Sequence, residues 1–243
     1  GSPMTKLNPE LRISPDMPIG QIAVDLPGAT AVFRRLKIDF CCGGQISLSQ
    51  AVAEKGLALP AVIDELAALK LPDNTPSFDS PSAMIDHIIQ RYHDTHRAQL
   101  PELIRMAQRV EAVHKNKAEV PAGLGAALEA MHNELLSHMQ KEELVLFPSL
   151  KAGGNPYIAQ PIAMMRHEHT DHGAALEHIA ELTHDMTPPA EACNTWRALY
   201  AGLNQLRDDL ISHIHLENNI LFPMFENAAT SSGGCASSGC GCG

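Results

Sequence analysis

One element that could bind metal occurs twice in the sequence. A histidine is followed four residues later by a glutamate and then by Leu-Phe-Pro; the pairs are His138 with Glu142 and His213 with Glu217. Side chains four residues apart lie on the same face of an α-helix, so each copy can direct an imidazole and a carboxylate at one point. The two copies together predict a metal site shared between helices.

The repeat extends to two further stretches. His93-Asp94-Thr95-His96 is echoed by His169-Thr170-Asp171-His172, and the separation of these stretches nearly equals that of the two His–Glu pairs. The pattern indicates a duplicated helical hairpin, in which each half offers one histidine from its first helix and a His–Glu pair from its second. The predicted metal ligands are His93, His138, Glu142, His169, His213 and Glu217.

Six protein ligands are too many for one zinc ion, which takes four ligands or three plus water. They suit two metals, each with two imidazoles, bridged by the two carboxylates. Mixed imidazole and carboxylate ligation favours iron, with manganese next. Ferritin-like bundles place the glutamate three residues before the histidine, whereas here the histidine comes first. A single His–Glu pair is also an ordinary helix contact, so the prediction rests on the matched offsets.

Other histidines and acidic residues have less specific patterns. His114 lies several helical turns beyond His93. Unless the helix kinks back near Pro101, His114 is too far away to reach the same point, and it is left out of the site. Glu134 and Glu168 either line an access path or, as we favour, lie on an ordinary solvated face. The histidines interpreted as outer partners of the ligands or as surface residues are His96, His132, His172 and His215.

Apolar periodicity predicts an all-α protein. Residues 17–72 contain four short helices, and between the second and third lies the turn Asp39-Phe40-Cys41-Cys42-Gly43-Gly44. Residues 80–227 contain four long helices with short connections, which is typical of an up-down-up-down bundle. The fourth of these is expected to begin near Pro189. Residues 228–243 are a Gly/Ser/Cys segment that cannot bury a core and should form a flexible tail.

The cysteines form a second group of candidate site residues. Cys41 and Cys42 precede two glycines, so a tight turn should leave both thiols accessible. Adjacent cysteines rarely form a mutual disulfide, so the pair is either a redox or iron-relay site that docks against the bundle or two small buried residues. Cys235, Cys240 and Cys242 in the tail are soft donors that either capture metal or have no metal role.

Composition narrows the classes of function. The net charge of −10 argues against a nucleic-acid-binding surface, which usually has a basic face. The longest apolar runs fall short of the roughly 18 residues that a membrane-spanning helix needs. Thirteen histidines favour metal binding. The six cysteines do not form a spaced disulfide framework, so a reducing cytoplasm is expected.

These motifs resemble a known family. The bundle is similar to hemerythrin-like proteins, and with the Cys-Cys domain the chain resembles the YtfE/ScdA/DnrN group, the "repair of iron centres" proteins. The family's ligand set falls on the six residues named above. The motifs that carry the resemblance over residues 17–227 are Asp39–Gly44, Asp86–His93, Ser137–Pro148 and Leu216–Pro223.

The resemblance implies a function. It implies two non-haem irons, with oxo and carboxylate bridges, in a cytoplasmic stress protein that restores iron–sulfur clusters damaged by nitric oxide or peroxide. Iron donation and nitric oxide reduction are both implied as activities, so whether the protein is an enzyme stays open. The expected partners are iron–sulfur proteins, with nitric oxide or oxygen as small ligand, and the family admits a homodimer. The alternative is an oxygen- or nitric oxide-binding or sensing module without turnover, although pure carriage needs no thiol pair.

Overall fold

The computed structural model describes residues 13–69 and 78–226, and the chain divides into two compact units between residues 77 and 78. The regular elements in those two described ranges are helices, and the β-structure there is one isolated bridge between Pro18 and Ser47. The predicted all-α class is confirmed. The tail predicted over 228–243 lies outside the described residues. Within the described ranges, no helix has the length and apolar character that crossing a membrane requires.

The described part of the amino-terminal unit contains four short helices. They span Ile19–Asp25, Ala29–Arg35, Leu48–Glu54 and Leu59–Ala67. The third begins at Leu48, because the Ser47 side chain accepts a hydrogen bond from the backbone N–H of Gln50 and so caps the helix. Phe33 and Phe40 pack in the core with ring centroids 5.9 Å apart. Burial of Phe40 anchors the start of the turn that carries the two cysteines.

Four long helices form the second unit over residues 78–226, the part that the structure describes. The first consists of Pro81–His87, Ile88–His93 and Asp94–Val113, the second of Leu124–Lys141, Glu142–Leu146 and Phe147–Lys151, the third of Ala159–Leu182, and the fourth of Asn194–His215, Leu216–Leu221 and residues 222–226. The first helix continues through Pro101. It packs against the second and fourth helices, and the second also packs against the third, as expected for an up-down-up-down bundle.

Three of the four bundle helices contain a π-helical segment. The segments are Ile88–His93, Glu142–Leu146 and Leu216–Leu221. Such wider turns are rare and are frequently found at functional sites. They contain the predicted ligands His93, Glu142 and Glu217, whereas the helix that carries His169 is α-helical throughout. The repeat in the sequence is therefore not a strict repeat of the backbone.

The fourth bundle helix begins at Asn194, so the predicted start near Pro189 is wrong. Cys193 has an extended backbone, and its Sγ accepts a hydrogen bond from the backbone N–H of Trp196, which makes it the N-cap. The guanidinium of Arg197 donates to carbonyl oxygens of the preceding loop and holds that loop outside the helix. Cys193 therefore has a structural role at the start of this helix.

Candidate metal centre

The bundle brings all six predicted ligands together in its interior. Each has at most 1% of its surface exposed. Their ligand atoms form two groups of four. In each group, all four atoms lie within 4.8 Å of one another, and both glutamates belong to both groups. One group contains His93 and His213, and the other contains His138 and His169. Each group therefore combines histidines from both hairpins.

Glu142 lies between histidines of the two groups. Its Oε1 atom is 3.2 Å from Nε2 of His93 and 3.2 Å from Nε2 of His138. Burial raises the pKa of Glu142, and the neighbouring Glu217 carboxylate raises it further. A metal ion that binds there would displace the proton and satisfy the buried carboxylate.

Glu217 occupies the corresponding position in the second half. Its Oε2 atom is 3.3 Å from Nε2 of His169 and 2.5 Å from Nε2 of His213. Burial acts to raise the pKa of Glu217, but His213 and the other neighbours outweigh it and hold this pKa well below its ordinary value. The surroundings therefore shift the pKa values of the two carboxyl groups in opposite directions, although the sequence repeats the residues.

Several buried atoms at the centre have no well-formed hydrogen bond to any part of the chain that the structure describes. They are Nε2 of His93, Nε2 of His213 and both carboxylate oxygens of Glu142 and Glu217. Buried polar atoms are nearly always paired, and an ion is one of the few partners that would explain such a set. The donors are imidazole nitrogen and carboxylate oxygen, which suit iron, manganese or zinc. The residues present therefore fit a metal centre.

The second ring nitrogen of each central histidine has its own partner outside the two groups. The pairs are His93 with Glu143 at 3.3 Å, His138 with Glu168 at 3.1 Å, His169 with Asn218 at 2.7 Å, and His213 with His96 at 3.1 Å. In every case Nδ1 is engaged, which leaves Nε2 to face the centre. Outer partners of this kind fix the tautomer and orientation of metal-binding histidines.

Two of these outer partners could have been found from the repeat. Glu143 directly follows Glu142, and Asn218 directly follows Glu217. Glu143 forms a hydrogen bond with His93, and Asn218 forms one with His169. In both cases the histidine lies on the first helix of the same hairpin. The position after the glutamate therefore has the same role in both halves, a correspondence that sequence reasoning missed because the residue types differ.

The other two outer partners correct or sharpen the sequence interpretation. Glu168 bonds both His138 and Lys141, so the solvated face favoured for it is wrong. The hydrogen bond from His138 lowers the pKa of Glu168 to about 2. His96 is fully buried, and burial lowers its pKa to about 2. His172 is buried with its ring 4.9 Å from that of His138, so neither it nor His96 is a surface residue.

The Leu-Phe-Pro part of the repeat also contributes to the site. The Phe147 ring stacks on His93 with centroids 5.7 Å apart, and the Phe222 ring stacks on His169 at 6.0 Å. Burial lowers the pKa of His93 to about 2, and the adjacent His213 contributes to this lowering. Since only a neutral imidazole can bind a metal, this apolar setting favours the ligating form.

Two residues whose participation the sequence left open lie away from the centre. His114 contacts Cys193, with Nε2 3.3 Å from Sγ, and its ring centroid is 4.9 Å from that of Trp196. It therefore belongs to the end of the bundle where the fourth helix begins. Glu134 is exposed and belongs to neither group of potential ligands.

The cysteine pair of the amino-terminal unit is less accessible than expected. Cys41 is buried and Cys42 is half-buried, so the expectation of two accessible thiols is wrong for Cys41. The two Sγ atoms are 3.9 Å apart, about twice the length of a disulfide bond. The hydrogen bond to Cys42 and burial raise the pKa of Cys41 well above its ordinary value.

Comparisons with known families agree with both parts of this description. A family model described as the hemerythrin HHE cation binding domain matches residues 84–225. A second, ScdA_N, described as a domain of unknown function (DUF542), matches residues 15–70. The first covers the four-helix bundle with its six central ligands, and the second covers the small helical unit with the cysteine pair.

Curated bacterial relatives match across both parts. The chain is 48% identical over 211 residues to a protein of Dickeya chrysanthemi, a match that covers 86% of this chain and 96% of the relative. It is 50% identical over 210 residues to a protein of Escherichia coli O8, with the same coverage. Both relatives are named iron-sulfur cluster repair protein YtfE. The chain therefore belongs to the YtfE family and carries that family's hemerythrin-type cation-binding domain.

Proposed function

We propose that the bundle holds two iron ions and that the protein repairs iron–sulfur clusters damaged by nitric oxide or oxidative stress. The observation that carries the proposal is that each central carboxylate lies against histidines of both groups. That arrangement suits two cations that share bridging carboxylates, and mixed imidazole and carboxylate ligation suits iron. The names of relatives at about 50% identity support the role in repair.

Each iron would have its own pair of histidines. The ligands would be His93 and His213 for one iron, His138 and His169 for the other, and Glu142 and Glu217 for both. Two irons there would supply one-electron redox chemistry and coordination positions for a small ligand such as nitric oxide or oxygen. The chain itself contributes a dry pocket, since none of these side chains is more than 1% exposed. It also fixes the ring orientations through the four outer partners.

Complete burial restricts which molecules can react. A diatomic gas can diffuse into a packed bundle, whereas a larger organic substrate would need an open cleft, so nitric oxide or oxygen suits this centre. Glu143 and Glu168 are partly exposed, at 24% and 20% of their side chains, and each bonds a central histidine. Each therefore connects a central histidine to the surface, where its carboxylate could receive an iron that leaves the centre. Both nitric oxide reduction and iron donation therefore remain part of the proposal.

The test is an anaerobic measurement on the reduced, iron-loaded protein. Nitric oxide is added, and both nitrous oxide and the iron transferred to an apo-ferredoxin are quantified. We expect one or both products, strongly reduced in Glu217→Gln and unchanged in Glu134→Gln, which alters an exposed carboxylate on the same bundle. Stoichiometric gas binding with neither product would contradict repair and favour the sensing module.

A further inference from the structure

The turn after the second short helix holds three donors suited to a second metal. A carboxylate oxygen of Asp39 and the Sγ atoms of Cys41 and Cys42 all lie within 4.8 Å of one another. We propose that these three side chains bind a divalent transition-metal cation of the zinc or ferrous-iron class. This site is separate in composition from the bundle centre, which contains no sulfur, and it goes beyond the proposed repair function.

The distances among the donors match those around a small tetrahedral cation. The two Sγ atoms are 3.9 Å apart, and Sγ of Cys41 is 3.4 Å from Oδ1 of Asp39. Zinc binds thiolate sulfur at about 2.3 Å and carboxylate oxygen at about 2.0–2.2 Å, which puts two sulfurs about 3.8 Å apart and sulfur and oxygen about 3.5 Å apart. A cation of this size would therefore fit with little movement of the three side chains.

The carboxylate is already held in the position that ligation requires. Oδ1 of Asp39 accepts a hydrogen bond from the backbone N–H of Cys42 at 3.0 Å. The next residue, Gly43, leaves room for this folded arrangement, because a Cβ there would lie 3.0 Å from the Asp39 carbonyl oxygen and 3.6 Å from Oδ2. A larger residue at Gly43 would push the backbone away from Asp39 and spread the donors.

The backbone that carries the donors is fixed on both sides. Phe40, between Asp39 and the cysteines, is 1% exposed and packs in the core. Beyond the cysteines, the N–H of Gly20 donates to the carbonyl of Gly44 at 2.8 Å, and the N–H of Ile19 donates to that of Ile46 at 3.0 Å. Because the burial of Phe40 and the hydrogen bonds after the cysteines already restrain this turn, it loses little conformational freedom when a ligand binds, which favours binding.

Donor chemistry selects the class of metal. Two thiolates favour soft and borderline cations, and the carboxylate shifts the preference from copper(I) towards zinc or ferrous iron. Thiols lose their protons when they ligate, so binding releases protons to solvent. Sulfur ligation also gives cobalt(II) a thiolate-to-metal charge-transfer band in the near ultraviolet, which nitrogen and oxygen donors do not produce. The proposed site can therefore be observed while the bundle centre is loaded with iron.

The experiment is an anaerobic cobalt(II) titration of the full-length, thiol-reduced protein with iron in the bundle. The cysteines outside the cluster are replaced by serine in all samples, namely Cys193, Cys235, Cys240 and Cys242. We expect the charge-transfer band to saturate at about one cobalt per chain and to disappear in Cys41→Ser/Cys42→Ser. Asp39→Asn should weaken cobalt binding at least about tenfold, since even outer-shell changes cost that much. The matched control, Asp64→Asn, alters an exposed carboxylate of the same unit and should bind as its parent does.

Two results would refute the proposed metal site at Asp39, Cys41 and Cys42. One is the absence of the band at saturating cobalt, and the other is a band that persists unchanged without both thiols. Because Cys41 is buried, Cys42→Ser alone is measured as well, with helical content checked by circular dichroism. A folded Cys42→Ser protein with unaltered cobalt affinity and band intensity would also refute the proposal. Since the bundle has no sulfur ligands, failure here would leave the proposed repair function untouched.

Discussion

The shared carboxylates lead to a prediction that separates the glutamates from the histidines. Oε1 of Glu142 lies 3.2 Å from a histidine of each group, whereas His93 belongs to one group. Glu142→Gln keeps the side-chain volume but removes an anionic donor from both metals, and His93→Ala removes a donor from one. Loss of an outer partner costs about 10–100-fold in metal affinity, so loss of a direct ligand should cost at least that, or about 1.4–2.7 kcal/mol per metal.

The assay is an anaerobic ferrous-iron titration of metal-free protein, followed by removal of loose iron and measurement of iron per chain. We expect two irons in the parent protein, one in His93→Ala and less than one in Glu142→Gln. Glu134→Gln serves as control, because it makes the same chemical change at an exposed position of the same helix. If folded Glu142→Gln protein kept one tightly bound iron while His93→Ala protein lost both, Glu142 would not be shared by the two metals.

Two further predictions concern residues outside the two ligand groups. Glu143→Gln and Glu168→Gln each replace the anionic acceptor of a central histidine ring with a neutral amide oxygen, so each should lower iron affinity about 10–100-fold without loss of helical content. Titrations that match the parent protein would contradict this role. Cys193 caps the fourth bundle helix. Cys193→Ala should lower the free energy of unfolding by about 1 kcal/mol, whereas Cys193→Ser should retain stability, because serine is a preferred N-cap. Equal denaturation midpoints for the alanine and serine variants would show that the Cys193 cap contributes nothing.

Much of the architecture could be predicted because its signals are local. Apolar periodicity predicted the helical content of both parts of the chain, which the described residues show. The fourth bundle helix was placed too early, because residues from Pro189 onward are compatible with a helix. What holds them out of it is a set of hydrogen bonds from Arg197 and a cysteine cap, and cysteine is not among the usual N-cap residues.

The two-copy spacing indicated which six residues meet, and the structure brings them together, although their role as ligands stays a prediction. It could not show how they pair. The grouping of His93 with His213 depends on which helices pack side by side, and residue spacing along the sequence does not determine that. Glu168 was misjudged for a similar reason. Its bond to His138 crosses from the third helix to the second, so its own helix offers no sign of it.

The burial of Cys41 could not be predicted from the residues around it in the sequence. Two glycines after Cys41 and Cys42 correctly suggested a tight turn, but the same turn folds Cys41 inward beside the buried Phe40. Small residues permit close approach of the backbone as readily as they permit exposure. Only the packed structure reveals that Asp39 lies close enough to complete a group of three donors.

A crystal structure of the iron-loaded protein, with anomalous scattering measured at the iron edge, would show whether two irons share the two carboxylates inside the bundle. We expect two peaks, one between His93 and His213 and one between His138 and His169, with both glutamates bridging the two irons. Each peak should lie about 2.1 Å from the histidine Nε2 atoms, close to the distance at which zinc binds histidine nitrogen. A single peak, or ligation through Nδ1, would contradict a two-iron centre with shared carboxylates.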